Sequence, residues 1–152
     1  MTKEELYLKT VFCCMTCDGD IAEDEANMMR ELCARDSLFR GLDVESLINN
    51  WIQRINKNGA RFLQSFLDEI PTVDLSEQEQ LLLVKLAINT IEADNRIEYS
   101  EIKFFKKIRS RLSVSDERIL SEFPDKEDYL LPDINVSEAP KWDESILFAK
   151  LF

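Results

Sequence analysis

Histidine is absent from this chain of 152 residues, and glycine and proline contribute only three and four residues. Because histidine is the usual base at neutral pH, its absence excludes serine-histidine and cysteine-histidine nucleophilic schemes and histidine-containing zinc sites. So few glycines and prolines argue against a β-sandwich or barrel, whose many turns require them. The sequence therefore favours helices, and we expect a protein that is not an enzyme.

Basic residues are outnumbered, since 19 lysines and arginines face 30 aspartates and glutamates and the formal net charge is −11 at pH 7. Such a surface repels nucleic acid and anionic membranes. The best apolar stretch, residues 81–91, is interrupted by Lys85 and is too short to span a bilayer. The first residues are acidic, where a signal peptide would need a cationic start. We expect a cytoplasmic protein that has no membrane span and does not bind nucleic acid.

Apolar residues at helical spacing predict an all-α fold, a single bundle of about seven helices. Hydroxyl side chains three residues before a glutamate predict capping boxes at Thr2 and Ser76. Asp43 is expected to cap the third helix, and Asn58-Gly59 to end it in a left-handed conformation. The length suits one hydrophobic core, so residues 1–123 should form one domain.

Three helices carry more specific expectations. The first, from about Thr2 to Cys17, should bury one face, and the second, from about Glu23 to Ala34, should direct Met28, Met29 and Leu32 inward. The fifth helix, residues 77–92, is apolar nearly all round, which predicts a central position.

Residues 124–152 contain three of the four prolines and many apolar side chains, including Trp142. This composition is too apolar for a solvated tail. We interpret the segment as a C-terminal arm with a short final helix that docks on the domain. The alternative is an arm that waits for a partner.

Residues 18–25 (DGDIAEDE) repeat as residues 94–101 (DNRIEYSE). The first aspartate, the isoleucine and the last glutamate coincide, and the flanking apolar positions correspond as well. The sequence therefore predicts two related helix-loop-helix units. Turn formation by the aspartates and capping by the glutamates would explain the pattern without any ligand.

A helix followed by Asp-Gly-x-Ile and a glutamate four residues later, repeated about half a chain further on, resembles the TerB-like domain of tellurite-resistance proteins and some co-chaperones. The likeness covers about residues 3–112. It implies an all-α binding or scaffold module in bacterial stress response, with loop carboxylates proposed to hold a metal ion. Carried over to this sequence, those positions are Asp18, Glu25, Asp94 and Glu101.

Asp18 and Asp20 flank a glycine, and several oxygens converging from one loop suit a hard cation such as calcium or magnesium. The EF-hand template fails, because Ala22, Glu23 and Met29 occupy positions that need other residues. Arg96 stands where Asp20 stands in the first unit, so the two loops are not equivalent as metal sites. The predicted ligands of a divalent cation are Asp18, Asp20, Glu25, Asp94 and Glu101.

Two alternatives stay open. Cys14 and Cys17 form a Cys-x-x-Cys that could serve a thiol-based redox or zinc protein, although a pair at a helix end favours small buried thiols. The other alternative is a structural protein-interaction domain without metal, in which the carboxylates only cap helices. Separately, Glu98 and Tyr99 beside Asp94 could offer an anionic patch to a basic protein partner.

Overall fold

The computed structural model describes residues 1–17, 23–93 and 99–130, and within these ranges every regular element is helical. These ranges contain seven α-helices and three single 3-10 turns, of which residues 37–39 and 70–72 lie between helices and residues 127–129 follow the last helix. The predicted all-α bundle is confirmed. The helices are α1 (Lys3–Met15), α2 (Glu23–Arg35), α3 (Val44–Lys57), α4 (Gly59–Glu69), α5 (Glu77–Ile91), α6 (Tyr99–Ser110) and α7 (Asp116–Glu122).

Both predicted capping boxes are present. The hydroxyl of Thr2 accepts from the amide of Glu5 at 3.1 Å, and that of Ser76 accepts from the amide of Glu79 at 3.2 Å. In each box the glutamate carboxylate accepts the amide of the capping residue in return. These bonds satisfy amides that the first turn of a helix leaves unpaired, which fixes the starts of α1 and α5.

The predicted left-handed stop at Asn58-Gly59 is wrong. Asn58 is extended, with φ −159°, and Gly59 is the first residue of α4. The Asn58 amide donates to the carbonyl of Arg54 at 3.0 Å, while its side chain accepts from the amide of Arg61 at 3.1 Å. One asparagine thus ends α3 and begins α4, and this leaves no place for a left-handed residue between the two helices.

The core is built around α1 and α5, which form the most extensive helix pair. The fifth helix was predicted to be the central one, but α1 is more fully enclosed than α5. Neighbours surround α1 so completely that every residue from Leu6 to Cys14 is buried, including Lys9 and Thr10. The Thr10 hydroxyl donates to the carbonyl of Leu6 at 2.8 Å, so this polar group is satisfied inside the core.

The second helix differs from its prediction at one residue. Met29 is fully buried as expected, but Met28 is 45% exposed. Adjacent residues of a helix point about 100° apart, so only one of the two can face the core squarely. In the described part of the chain, no helix is both long enough and apolar enough to cross a membrane.

Candidate functional site

The two helix-loop-helix units share the same boundaries. α1 ends at Met15 and α5 at Ile91, whereas α2 begins at Glu23 and α6 at Tyr99. Both pairs of boundaries are 76 residues apart, the spacing of the sequence repeat. Core positions correspond too, since Met29 in α2 and Phe105 in α6 are both fully buried. The predicted pair of hairpins is therefore present on either side of the two connecting loops.

The helix ends that flank these loops lie at one end of the bundle. Lys3 Nζ in the first turn of α1 lies 2.8 Å from Glu79 Oε2 in the first turn of α5, so the helices begin side by side. At the other end, Glu101 of α6 is close enough to Cys14 in the last turn of α1 for its charge to raise the thiol's pKa. Helices α1 and α5 therefore run in the same direction, and their C-terminal ends are neighbours. Residues 18–22 follow the end of α1 in the sequence, and residues 94–98 follow the end of α5.

Glu25 and Glu101 occupy the third position of α2 and α6, and both are half-buried. At that position a carboxylate can accept amides of the first turn and is stabilised by the positive end of the helix dipole. The structure thus places both glutamates in the first turn of a helix. Asp18, Asp20 and Asp94, the other predicted ligands, lie outside the described residues, as do Glu98 and Arg96.

A polar cluster that sequence reasoning missed lies next to the second loop. Glu92 follows the last residue of α5, and its Oε2 accepts the Tyr129 hydroxyl at 2.8 Å and the Lys126 ammonium at 2.6 Å. The Tyr129 ring packs edge-on against Phe105, with centroids 5.3 Å apart. These contacts hold the residues after α7 against the second hairpin, formed by α5 and α6. The only sequence signal was an aromatic residue within an acidic stretch.

Burial and neighbouring carboxylates shift the pKa values of Tyr129 and Lys126 in this cluster. Burial, followed by the hydrogen bond to Glu92 and by the charges of Glu92 and Glu101, raises the pKa of Tyr129 well above its ordinary value. The hydrogen bond to Glu92 raises the pKa of Lys126. A tyrosine that keeps its proton and a lysine that keeps its charge both reinforce the Glu92 cluster at physiological pH.

Within residues 1–17, 23–93 and 99–130, no three carboxylate or thiol side chains converge in a way that could hold a metal ion. Glu25 and Glu101 would therefore need the loop aspartates to complete a hard-cation site, which takes at least six oxygen ligands including carbonyls and water. The predicted metal site stays a prediction.

All four cysteines are reduced thiols, and Cys13 and Cys14 are at most 1% exposed. Burial, with a smaller contribution from neighbouring thiols and Glu101, raises the pKa of Cys14 well above its ordinary value. Thiolate is the form that attacks electrophiles and binds zinc, so this environment disfavours both roles for Cys14. The expected burial of the Cys-x-x-Cys motif is confirmed for Cys14, whereas Cys17 is half-buried.

Comparison of the chain with protein-family models, with curated proteins and with solved structures finds no match. The resemblance to TerB-like domains therefore rests on the repeated loop residues alone.

Proposed function

We propose that this protein is a non-enzymatic binding module of bacterial stress response, similar to TerB-like domains, whose paired loops bind a divalent cation and present a surface to a protein partner. The observation that carries the proposal is that the helix ends flanking the two repeated loop sequences lie at one end of the bundle. Each loop enters a helix whose third residue is a half-buried glutamate.

The candidate ligands are Asp18, Asp20 and Glu25 in the first unit and Asp94 and Glu101 in the second. A calcium or magnesium ion would neutralise these carboxylates, which otherwise repel one another in a protein of net charge −11. It would also fix the loops to α2 and α6. Cation binding would thus set the shape and charge of this end of the bundle.

Tyr99 supports a protein partner at the same end. Tyr99 is the first residue of α6 and is 49% exposed. The centroid of its ring lies 5.6 Å from the Lys103 ammonium. Exposed tyrosines at the margin of a polar patch are typical anchors in protein interfaces. Because Tyr99 directly follows the second loop, a change in that loop would reach the partner surface.

A second candidate, a metal-free interaction module, is favoured by the position of Glu25 and Glu101. The third residue of a helix is where glutamate accepts backbone amides, and that role needs no cation. In this case the loop aspartates would serve only to form turns.

Substitutions that separate charge from shape distinguish the two candidates. Calorimetric titration of the parent protein with calcium and with magnesium should give binding heat, and millimolar cation should raise the melting temperature by mass action. Asp18→Asn and Asp94→Asn keep the turn preference and remove the charge, so each should weaken or abolish both effects. Asp20→Asn should weaken them less, because Arg96 replaces this aspartate in the other unit.

Glu25→Gln and Glu101→Gln serve as matched variants for capping. Glutamine accepts amides nearly as well, so each should cost less than about 1 kcal/mol of stability in chelator. Loss of cation binding in these variants, with stability in chelator retained, supports a ligand role. Absence of heat and of stabilisation with calcium, magnesium, manganese and zinc in the parent protein would leave the metal-free module.

A further inference from the structure

A cavity of about 350 Å³ lies where α2 ends and α3 begins, and the 3-10 turn at residues 37–39 also lines it. Its volume is within the range of small-molecule sites, roughly 300–1,000 Å³. All of its lining belongs to residues 30–45, which the structure describes, whereas most of the expected C-terminal arm, residues 131–152, lies outside the described residues. The first repeated loop precedes the opposite end of α2, about 18 Å away along the helix.

The charged residues that line this cavity are three arginines and two acids, namely Arg30, Arg35, Arg40, Asp36 and Glu45. Both carboxylates already have partners. Asp36 accepts the amide of Leu38 at 3.0 Å, and Glu45 Oε2 lies 2.9 Å from Arg30 Nε. Arg35 and Arg40 are exposed and form no ion pair within the described part of the chain. The lining is therefore locally positive in a protein of net charge −11.

Arg30 joins the two helices that enclose the cavity. Its Nη1 donates to Asn27 Oδ1 in α2 at 3.0 Å, and its Nη2 donates to Asn49 Oδ1 in α3 at 3.5 Å. Its buried Nε makes no hydrogen bond to the described residues, although the carboxylate of Glu45 is near. Buried donors without an acceptor are uncommon in folded proteins. Arg30 thus fixes one wall of the cavity and keeps one unsatisfied donor there.

Four apolar side chains form much of the remaining lining. Cys33 and Phe39 are buried, and Leu42 and Val44 are half-buried. Burial, followed by the charge of Asp36, raises the pKa of the Cys33 thiol to about 11. The thiol is therefore neutral at physiological pH and adds no negative charge to the cavity. An apolar surface thus lies next to two arginines without carboxylate partners.

A second cavity of about 350 Å³, lined by residues 70–75, 80 and 111–113, differs in its charges. It contains one arginine, Arg111, together with the acidic Asp74. Arg111 Nη2 lies 4.0 Å from Asp68 Oδ1, so its charge already faces a carboxylate. The two cavities have the same volume, and the unpaired arginines distinguish the first from the second.

We propose that the cavity between α2 and α3 binds a small organic anion, a molecule with an apolar body and a carboxylate or phosphate group. Arg35 and Arg40 bind the anionic group, because planar guanidinium groups match both carboxylates and phosphates. The apolar body packs against Phe39, Leu42 and Val44. This site is independent of the repeated loops and of cation binding by them.

Titration followed in nitrogen-proton spectra tests the proposal with simple probes. Phenyl phosphate and benzoate should shift the signals of Cys33, Phe39 and Leu42 at lower concentration than inorganic phosphate or benzyl alcohol, because only the first two offer both parts. The tighter of the two identifies the anionic group. Signals of Val73 and Leu112 at the second cavity should not move. Equal shifts at both cavities, no shifts at the first, or equal affinity for benzyl alcohol would overturn the proposal.

Substitutions separate this site from general attraction between an anion and any arginine. Arg35→Gln and Arg40→Gln should each weaken phenyl phosphate binding severalfold. The matched control is Arg61→Gln, at an exposed position of α4 without an ion pair in the described residues, and it should leave the affinity unchanged. Glu45→Gln should tighten binding severalfold, because it removes a negative charge from the lining and releases Arg30. An equal effect of Arg61→Gln would contradict a specific site.

Arginine modification in the parent protein needs no variant to fold. Phenylglyoxal reacts with accessible guanidinium groups, and peptide mass spectrometry gives the rate at each arginine. Phenyl phosphate should slow the reaction severalfold at Arg35 and Arg40 and leave the rate at Arg61 unchanged. Equal slowing at all three arginines, or none at Arg35 and Arg40, would show that the cavity does not hold the anion.

Discussion

The ammonium of Lys9 lies 2.7 Å from a carboxylate oxygen of Glu69, although the lysine side chain is only 1% exposed. The aromatic rings of Trp51 and Phe62 flank the same ammonium. The pair joins the middle of α1 to the last residue of α4, and the carboxylate is the group that compensates the lysine's loss of water.

Glu69→Ala should therefore destabilise the protein more than loss of a surface acid. We expect a decrease of about 2 kcal/mol in the free energy of unfolding, below the roughly 3–5 kcal/mol of a fully buried pair, because the Glu69 side chain is 33% exposed. Chemical unfolding by urea measures this change. Lys9→Met combined with Glu69→Gln should recover most of the loss, since no buried charge then remains uncompensated.

The matched control is Glu31→Ala, at an exposed position of α2 without an ion pair among the described residues. It should change stability by less than about 0.5 kcal/mol. An equal effect of Glu31→Ala and Glu69→Ala would mean that the buried lysine does not depend on its carboxylate.

Alkaline pH should weaken the fold through Tyr129. Its pKa is raised above the ordinary value of 10.0, so the folded state holds the phenol proton more tightly than the unfolded state. The stability this supplies is complete below pH 10 and is lost as the pH rises toward the folded pKa. Unfolding free energy should fall above pH 10, and Tyr129→Phe should make that fall less steep.

Glu92→Gln separates the causes of this shift. It keeps an acceptor for the hydroxyl and removes the charge, so the pKa of Tyr129 should drop. The alkaline loss should still begin near pH 10, but it should be smaller and end at lower pH. Absorbance near 295 nm follows tyrosine ionisation. A Tyr129→Phe profile that overlays the parent profile would show that the tyrosine does not contribute. Part of the slope should remain in every variant, because burial also raises the pKa values of Cys13 and Cys14.

The thiols should be inert in the folded state. Because Cys13 and Cys14 are buried and their pKa values are raised, an alkylating reagent at neutral pH should modify Cys17 first. Cys14→Ala should cost about 1 kcal/mol, as expected for a small cavity. Peptide mass spectrometry and elemental analysis provide the readouts. Stoichiometric zinc that disappears in Cys14→Ala/Cys17→Ala would favour the zinc alternative.

The sequence predicted well those features that depend on neighbouring residues. Capping at Thr2, Asp43 and Ser76 requires only a side chain and an amide three residues away, and all three caps are present. The two hairpins were predictable from the repeat, because equal spacing of apolar residues and turn residues produces equal helix boundaries.

Features that depend on distant residues were not predictable. Lys9 and Lys85 occupy equivalent positions in the repeat, yet only Lys9 is buried, because α3 and α4 cover α1. Tyr129 donates a hydrogen bond to Glu92, which lies 37 residues earlier in the sequence, and no local sequence pattern predicts this pairing. At Asn58-Gly59 the local sequence predicts a left-handed helix end, but Gly59 instead begins a second helix, and Asn58 is extended.

The central claim is that the two loops bind a divalent cation at one end of the bundle, and paramagnetic broadening by manganese tests it most directly. In nitrogen-proton spectra, substoichiometric Mn²⁺ should broaden the amide signals of Glu25 and Glu101 and of their neighbours in the first turns of α2 and α6. The first turn of α3 is the internal control, because it also carries an aspartate cap and the acidic Glu45 but follows no repeated loop. Its signals should stay sharp, and Asp18→Asn combined with Asp94→Asn should abolish the broadening at both other sites. Uniform broadening, or none at Glu25 and Glu101, would contradict the proposed cation site.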